Sequence, residues 1–133
     1  MMVRQRLWWA SVLVALVPLG LWARFSAPVP EWLRDASGGA LYVVFWMVAF
    51  LVLRPKTSAL PLAAVVFAVT CAVEFSQAWH PVWLDRVRAT LPGRLVLGTT
   101  FDWGDFPPYA VGAAVGWAMV RVRERFVATD KGE

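Results

Sequence analysis

Charge is what this chain has least of. Asp, Glu, Lys and Arg make up 17% of its residues, where a soluble domain carries about 25%. A single cysteine, Cys71, excludes an intramolecular disulfide, and its place inside an apolar run makes it a small packing residue. A single histidine, His80, has no second His or Cys at ligand spacing, so it reads as a hydrogen-bonded interfacial residue and not as a zinc ligand. The chain holds no internal repeat and no low-complexity tract. Its basic excess, net +4, flanks apolar segments instead of forming one stripe, which argues for membrane anchoring and against nucleic acid.

What is present in abundance is apolar surface: 59% hydrophobic residues, nine Trp and a mean hydropathy of +0.57. Four apolar segments stand out, at about 7–23, 36–53, 60–79 and 107–120. They predict an all-α fold, a single membrane domain over 1–133 built as a four-helix transmembrane bundle. At about 1.5 Å rise per residue the third span reaches roughly 30 Å, a full hydrocarbon core. The first two are nearer 25 Å and the fourth is shorter, with flanking Trp and Arg extending them into the interface. The first segment also has the outline of a signal peptide. Its 17-residue apolar run exceeds the usual h-region, and Arg24 and Phe25 stand where small cleavage-site residues belong, so a retained span is expected.

Orientation follows from Lys and Arg. With both termini cytoplasmic, the inner side holds eight (Arg4, Arg6, Arg54, Lys56, Arg121, Arg123, Arg125, Lys131) and the outer side five (Arg24, Arg34, Arg86, Arg88, Arg94). Trp8 and Trp9 then line the inner interface, and Trp22, Trp32, Trp79, Trp83 and Trp103 the outer one. This predicts a multi-pass membrane protein with both termini cytoplasmic. Arg54–Ser58 reads as a tight basic turn, Ser26–Pro30 as extended, and Ser37-Gly38-Gly39 as the opening of the second span. The tail 121–133 reads as a cytoplasmic end whose last residues are disordered.

Glu74 is the one acid among the twenty residues from Leu60 to Trp79. A charge in hydrocarbon costs roughly 2.5–3.5 kcal/mol on insertion scales, so a residue that bears it is a functional candidate. At 100° per residue Thr70, Glu74 and Gln77 share one face, which must look into the bundle. On the fourth span Asp105, Tyr109, Gly112 and Gly116 share a face, and Gly112-x-x-x-Gly116 lets a partner backbone approach. Packing the two faces together sets Glu74 and Gln77 beside Tyr109 and Asp105. Arg88 or Arg86 is the expected counter-charge.

The outer loop 80–106 is long for a connector in so small a protein, and loops of that length are usually functional or folded in their own right. Pro81–Leu91 is amphipathic, with Trp83, Val87 and Leu91 on one side and Asp85, Arg86 and Arg88 largely on the other, as in a helix lying among headgroups. Pro92-Gly93 then turns the chain, and Leu95–Gly98 dips back as re-entrant apolar backbone packed against protein. Asp102 and Asp105 close the loop, with helix N-capping their simplest role. Two carboxylates and one distant Glu fall short of a metal site, so no metal and no cofactor is expected.

The run Glu74-Phe75-Ser76-Gln77, then Leu84-Asp85-x-x-Arg88, Gly93, Leu97-Gly98, Phe101, Asp105, Tyr109 and Gly112, resembles the bacterial domain-of-unknown-function 2809 family of small four-span membrane proteins. The order Glu-x-x-Gln, Arg, Asp, Gly is more distantly similar to the VanZ-like membrane proteins. In that family pattern an acid often follows the Gly at the head of the second span. Here Ala40 follows Gly39, so no second-span carboxylate is carried over. The resemblance implies a fold and a location, multi-pass in the bacterial inner membrane, and no established reaction.

Two function classes follow. The first is a non-enzymatic membrane protein whose outward pocket, drawn from Glu74, Gln77, Arg88, Asp102, Asp105 and Tyr109, binds or senses an envelope lipid or cell-wall-related ligand. The second is a small intramembrane enzyme acting on a lipid-linked substrate, with Glu74 as acid/base and Arg88 on a phosphate. Ser76 lacks a G-x-S-x-G context, which disfavours serine chemistry. The expected partners are the bilayer, such a ligand and, were the chain a transporter subunit, further copies of itself in a homo-oligomer.

Overall fold

Along the second apolar segment Val43, Val44, Met47, Val48 and Leu51 recur at helical spacing, and all five are at most 3% exposed. That stripe is the centre of the fold, because the helix that carries it meets three neighbours. The computed structural model describes residues 2–26 and 28–132. Among them the fold is all-α: α1 (Met2–Phe25), α2 (Glu31–Leu53), α3 (Ala59–Ser76), α4 (Val82–Ala89), α5 (Leu91–Leu97), a 3-10 turn (Trp103–Asp105) and α6 (Phe106–Gly132). Ala27, within the segment expected to be extended, lies outside the described residues.

Three helices, α1, α2 and α3, are long and apolar enough to cross a membrane. At about 1.5 Å per residue they run roughly 27–36 Å. α1 and α2 pack antiparallel: Arg24 pairs with Asp35 at one end (3.3 Å), and Arg6 donates to the Leu53 carbonyl at the other (3.3 Å). Trp9, Leu62, Ala63 and Val120 complete a core drawn from α1, α2, α3 and α6. α1 is peripheral; Trp9 is its one buried residue.

The element ends differ from expectation in instructive ways. α2 begins at Glu31, five residues before position 36, so Ser37-Gly38-Gly39 lies inside the helix and does not open it. Pro30 just before the helix and Glu31 in its first turn favour the earlier start. α6 runs on through the charged tail to Gly132, so residues expected to be disordered are helical. Arg121 and Glu124 pair across one turn (3.1 Å), and the Arg123 guanidinium lies 4.6 Å from the centre of the Trp8 ring. Pro92-Gly93 is not a turn but the first turn of α5, where a proline's missing N–H costs nothing, and Thr90 caps it by accepting from the Gly93 N–H (3.1 Å). Leu95–Leu97 is the last turn of that helix and not irregular backbone.

The glycine seam is real but its partner is not the expected one. Tyr109, Gly112, Gly116 and Val120 form the buried stripe of α6. A Cβ on Gly112 would run into the Ala40 backbone, and one on Gly116 into the Met47 side chain. Both are on α2, so the seam joins α6 to α2 and not to α3. Tyr109, one turn earlier, is the residue that reaches α3.

Candidate functional site

At one end of the bundle the C-terminal ends of α1 and α3 meet the N-terminal ends of α2 and α6, with α4, α5 and the 3-10 turn alongside. Glu74, in the last turn of α3, is 0% exposed. A buried carboxylate is tolerable when its oxygens are hydrogen-bonded. Here Oε2 accepts from the Tyr109 hydroxyl at 2.6 Å and Oε1 from the Asp102 backbone N–H at 2.9 Å. Glu74 thus ties α3 to α6 and to the segment that enters α6. Thr70, one turn earlier, is buried with its hydroxyl on the Val66 carbonyl (2.7 Å).

Arg88 is not the counter-charge of Glu74. It is 3% exposed, and its guanidinium donates to the Ser76 carbonyl (2.6 Å), the Trp79 carbonyl (2.8 Å) and the Asp85 carboxylate (3.2 Å). The physical reason is local. The last turn of α3 leaves carbonyls without intrahelical donors, at the negative end of the helix dipole, and a cation one short helix away satisfies them. Arg86, the other expected counter-charge, lies on the exposed side of α4. Gln77 is also buried, and its amide donates to the Leu97 carbonyl (3.0 Å). Gly98 follows at φ 68°, and a Cβ there would collide with the Gln77 side chain, so both its conformation and its space require glycine.

α4 sits the other way round from a simple amphipathic reading. Its inward residues are Leu84 and Arg88, while Trp83 (60% exposed) and Val87 face outward. An apolar outer face and an inward cation suit a helix whose surroundings are apolar. His80 bonds Asp85 (3.1 Å), and that bond, against desolvation and with help from Arg88, holds the Asp85 carboxyl below its ordinary value.

Above Glu74 and Tyr109 opens a cleft of about 850 Å³ between α2, α5 and α6. Gln77, Asp102, Asp105 and Tyr109 line it, as do Asp35, Tyr42 and Arg94, which the sequence had not singled out. Asp35 was legible only as one of several acids near α2. It becomes a cleft residue because that helix starts five residues early. Tyr42 donates to the Val96 carbonyl (2.5 Å) and so anchors α5 to α2. Asp102, not Asp105, is the capping residue: its carboxylate accepts from the Gly104 N–H (2.8 Å) at the head of the 3-10 turn. Burial, and then the Glu74 charge, push the Asp105 carboxyl up to about 6. Among the described residues no group of three or more His, Cys, Asp or Glu is arranged to hold a metal ion. Gly112 and Gly116 lie below the cleft and shape the α2–α6 contact without entering it.

No solved structure matches this chain. A family model described as "Protein of unknown function (DUF2809)" matches residues 29–113. That stretch runs from the head of α2 past Tyr109 and Gly112, so Glu74, Gln77, Arg88, Arg94, Asp102 and Asp105 all fall inside it. With well over half of its length matched, the chain belongs to the DUF2809 family of proteins of unknown function.

Proposed function

We propose that this is a multi-pass protein of the bacterial inner membrane whose outward-facing cleft binds or senses an envelope lipid or cell-wall-related ligand. The observation that carries the reading is the position of the cleft: it opens at one end of a bundle of apolar helices and is walled by side chains of both signs, with the buried Glu74 carboxylate held behind its lining residue Tyr109. In this reading the first part of α6, to about Val120, is the fourth span. Its fifteen residues from Phe106 make roughly 22 Å, and interfacial residues extend it. The basic turn at Arg54–Lys56 and the arginines after Val120 gather at the far end of the bundle from the cleft, which supports cytoplasmic termini and an outward cleft. The distant VanZ-like pattern accords with an envelope role. Glu74 has both oxygens engaged and no exposed surface, so it positions Tyr109 and the Asp102 backbone better than it serves as an acid/base.

The test is native mass spectrometry of protein extracted with its own lipids, with impermeant labelling of cysteines placed at Thr57 and Leu91 in a Cys71→Ala background. One retained envelope molecule, with Leu91→Cys labelled and Thr57→Cys protected in intact cells, is the expected result. Folded protein free of any bound molecule would sink the binding reading, and the reverse labelling pattern the orientation.

A further inference from the structure

Beside the main cleft lies a side pocket of about 380 Å³ lined by Asp85, Arg88, Ala89, Arg94 and Thr99. Arg94 and Thr99 line both spaces, so one ligand can occupy the two at once. The side pocket is basic. Asp85 is already engaged by Arg88 and His80, which leaves Arg94, a cation with no ion pair among the described residues. Arg88 adds a second feature. It is 97% buried by the same 3% exposure, and its Nε has no acceptor, although both terminal nitrogens do. That nitrogen is itself buried, so Arg88 acts on the adjoining space through the positive charge of its guanidinium, which an anion there answers.

The main cleft has the opposite sign. Four acids line it (Glu31, Asp35, Asp102 and Asp105), and among the described residues Asp35 alone of these is paired with an arginine. A purely anionic ligand would be repelled there, and a purely cationic one would leave Arg94 unanswered. The two spaces together fit a molecule with an anion and a cation a few atoms apart. A third observation bears on its source. α5 presents Leu91 and Leu95, 65% and 67% exposed and one turn apart, on either side of Arg94 in sequence, and Leu95 also lines the cleft. An arginine emerging from an apolar surface is the arrangement that meets a lipid phosphate at the headgroup level.

Resting on the reading that the cleft binds an envelope ligand, we propose that the ligand is a lipid with an ammonium-bearing phosphodiester headgroup of the phosphoethanolamine type. The phosphate sits on Arg94 and Thr99 beside the charge of Arg88, the ammonium faces Asp102 and Asp105, and the acyl chains lie along Leu91 and Leu95. The primary ammonium supplies three donors that neighbouring carboxylates accept, which a trimethylated ammonium cannot do.

The experiment offers purified full-length protein an equimolar mixture of phosphatidylethanolamine, phosphatidylglycerol and phosphatidylcholine in nanodiscs and reads retained lipid by native mass spectrometry. Phosphatidylethanolamine should be preferred by about tenfold over each of the others, the discrimination expected from one well-made polar contact. Arg94→Gln, at an exposed position that leaves the fold intact, should abolish retention of phosphatidylethanolamine, and Arg94→Lys should restore part of it. Asp105→Asn should keep retention but reduce the preference over phosphatidylglycerol. Equal retention of the three lipids overturns the headgroup assignment while the wider binding reading stands. Retention of no lipid overturns both. Displacement of the lipid by soluble glycerophosphoethanolamine at a similar concentration overturns the lipid source and leaves the ammonium phosphodiester chemistry.

Discussion

Midway along the bundle, α6 meets α2 through missing volume: Gly112 lies so close to Ala40 that a single Cβ would overlap its backbone, and Gly116 makes room for Met47. One turn nearer the polar end, the same face of α6 meets α3 through hydrogen bonds, with the Tyr109 hydroxyl on the Glu74 carboxylate. The two contacts discriminate differently. A steric seam accepts any partner of the right shape, so the small residues that build it do not say which helix they will meet. A buried carboxylate accepts only donors in reach. Those donors, the Asp102 N–H and the Tyr109 hydroxyl, lie 28 and 35 residues along the chain from Glu74. The polar end is therefore where the packing of this fold is most specific and most easily broken.

The largest effect expected from that difference lies at Glu74. Glu74→Gln should cost about 2–4 kcal/mol in detergent, because it weakens two charge-assisted bonds inside the bundle. Combined with Tyr109→Phe it should cost less than the sum of the two single changes, by about 1–2 kcal/mol. Combined with Arg88→Gln it should be additive to within about 0.5 kcal/mol, since Glu74 and Arg88 share no partner. Denaturant titrations of the three single and two double variants check this. Coupling to Arg88 in place of Tyr109 would redraw the polar end.

The steric seam predicts a smaller effect of opposite sign at two glycines. Gly112→Ala forces a Cβ against α2 and should destabilise by about 1–3 kcal/mol. Gly38→Ala, inside α2 with nothing within 4 Å of its Cβ, should stabilise by about 0.5–1 kcal/mol through helix propensity alone. Melting temperatures of the two variants in one detergent measure the contrast, and equal values would remove the seam.

The smallest effect is titration at the cleft. The Asp105 carboxyl lies near 6 in the fold against an ordinary 3.8. A raised carboxyl binds its proton more tightly in the folded state than in the unfolded one. Its contribution is therefore full below pH 3.8 and is lost as pH rises through about 6. Between those values the melting temperature of the wild type should fall more than that of Asp105→Asn. Parallel curves would show that the cleft does not hold that proton.

Much of this was legible in residue order because it is local. Hydropathy marks α1, α2 and α3, and helical periodicity puts Thr70, Glu74 and Gln77 on one buried face and Tyr109, Gly112 and Gly116 on another. Those properties depend on neighbours within two turns of the chain. The reach of α2 back to Glu31 and of α6 to Gly132 was less legible, since polar helical turns carry no hydropathy signal to extend a span. The loop 80–106 misled in detail for a related reason: Pro92-Gly93 has the composition of a turn, and only the cap from Thr90 makes it a helix start.

By itself the sequence determined the class of the protein, its apolar helices and the presence of one carboxylate that must be buried. Each follows from the cost of exposing or burying particular groups, which does not depend on the partner. The tertiary structure decided who the partners are. Arg88 caps α3 instead of answering Glu74, the glycines of α6 seat on α2 instead of α3, and Asp35, Tyr42 and Arg94 join the cleft from elements that sequence spacing does not connect. Pairings of that kind depend on which segments arrive within about 3 Å of one another, a distance that only the packed chain sets.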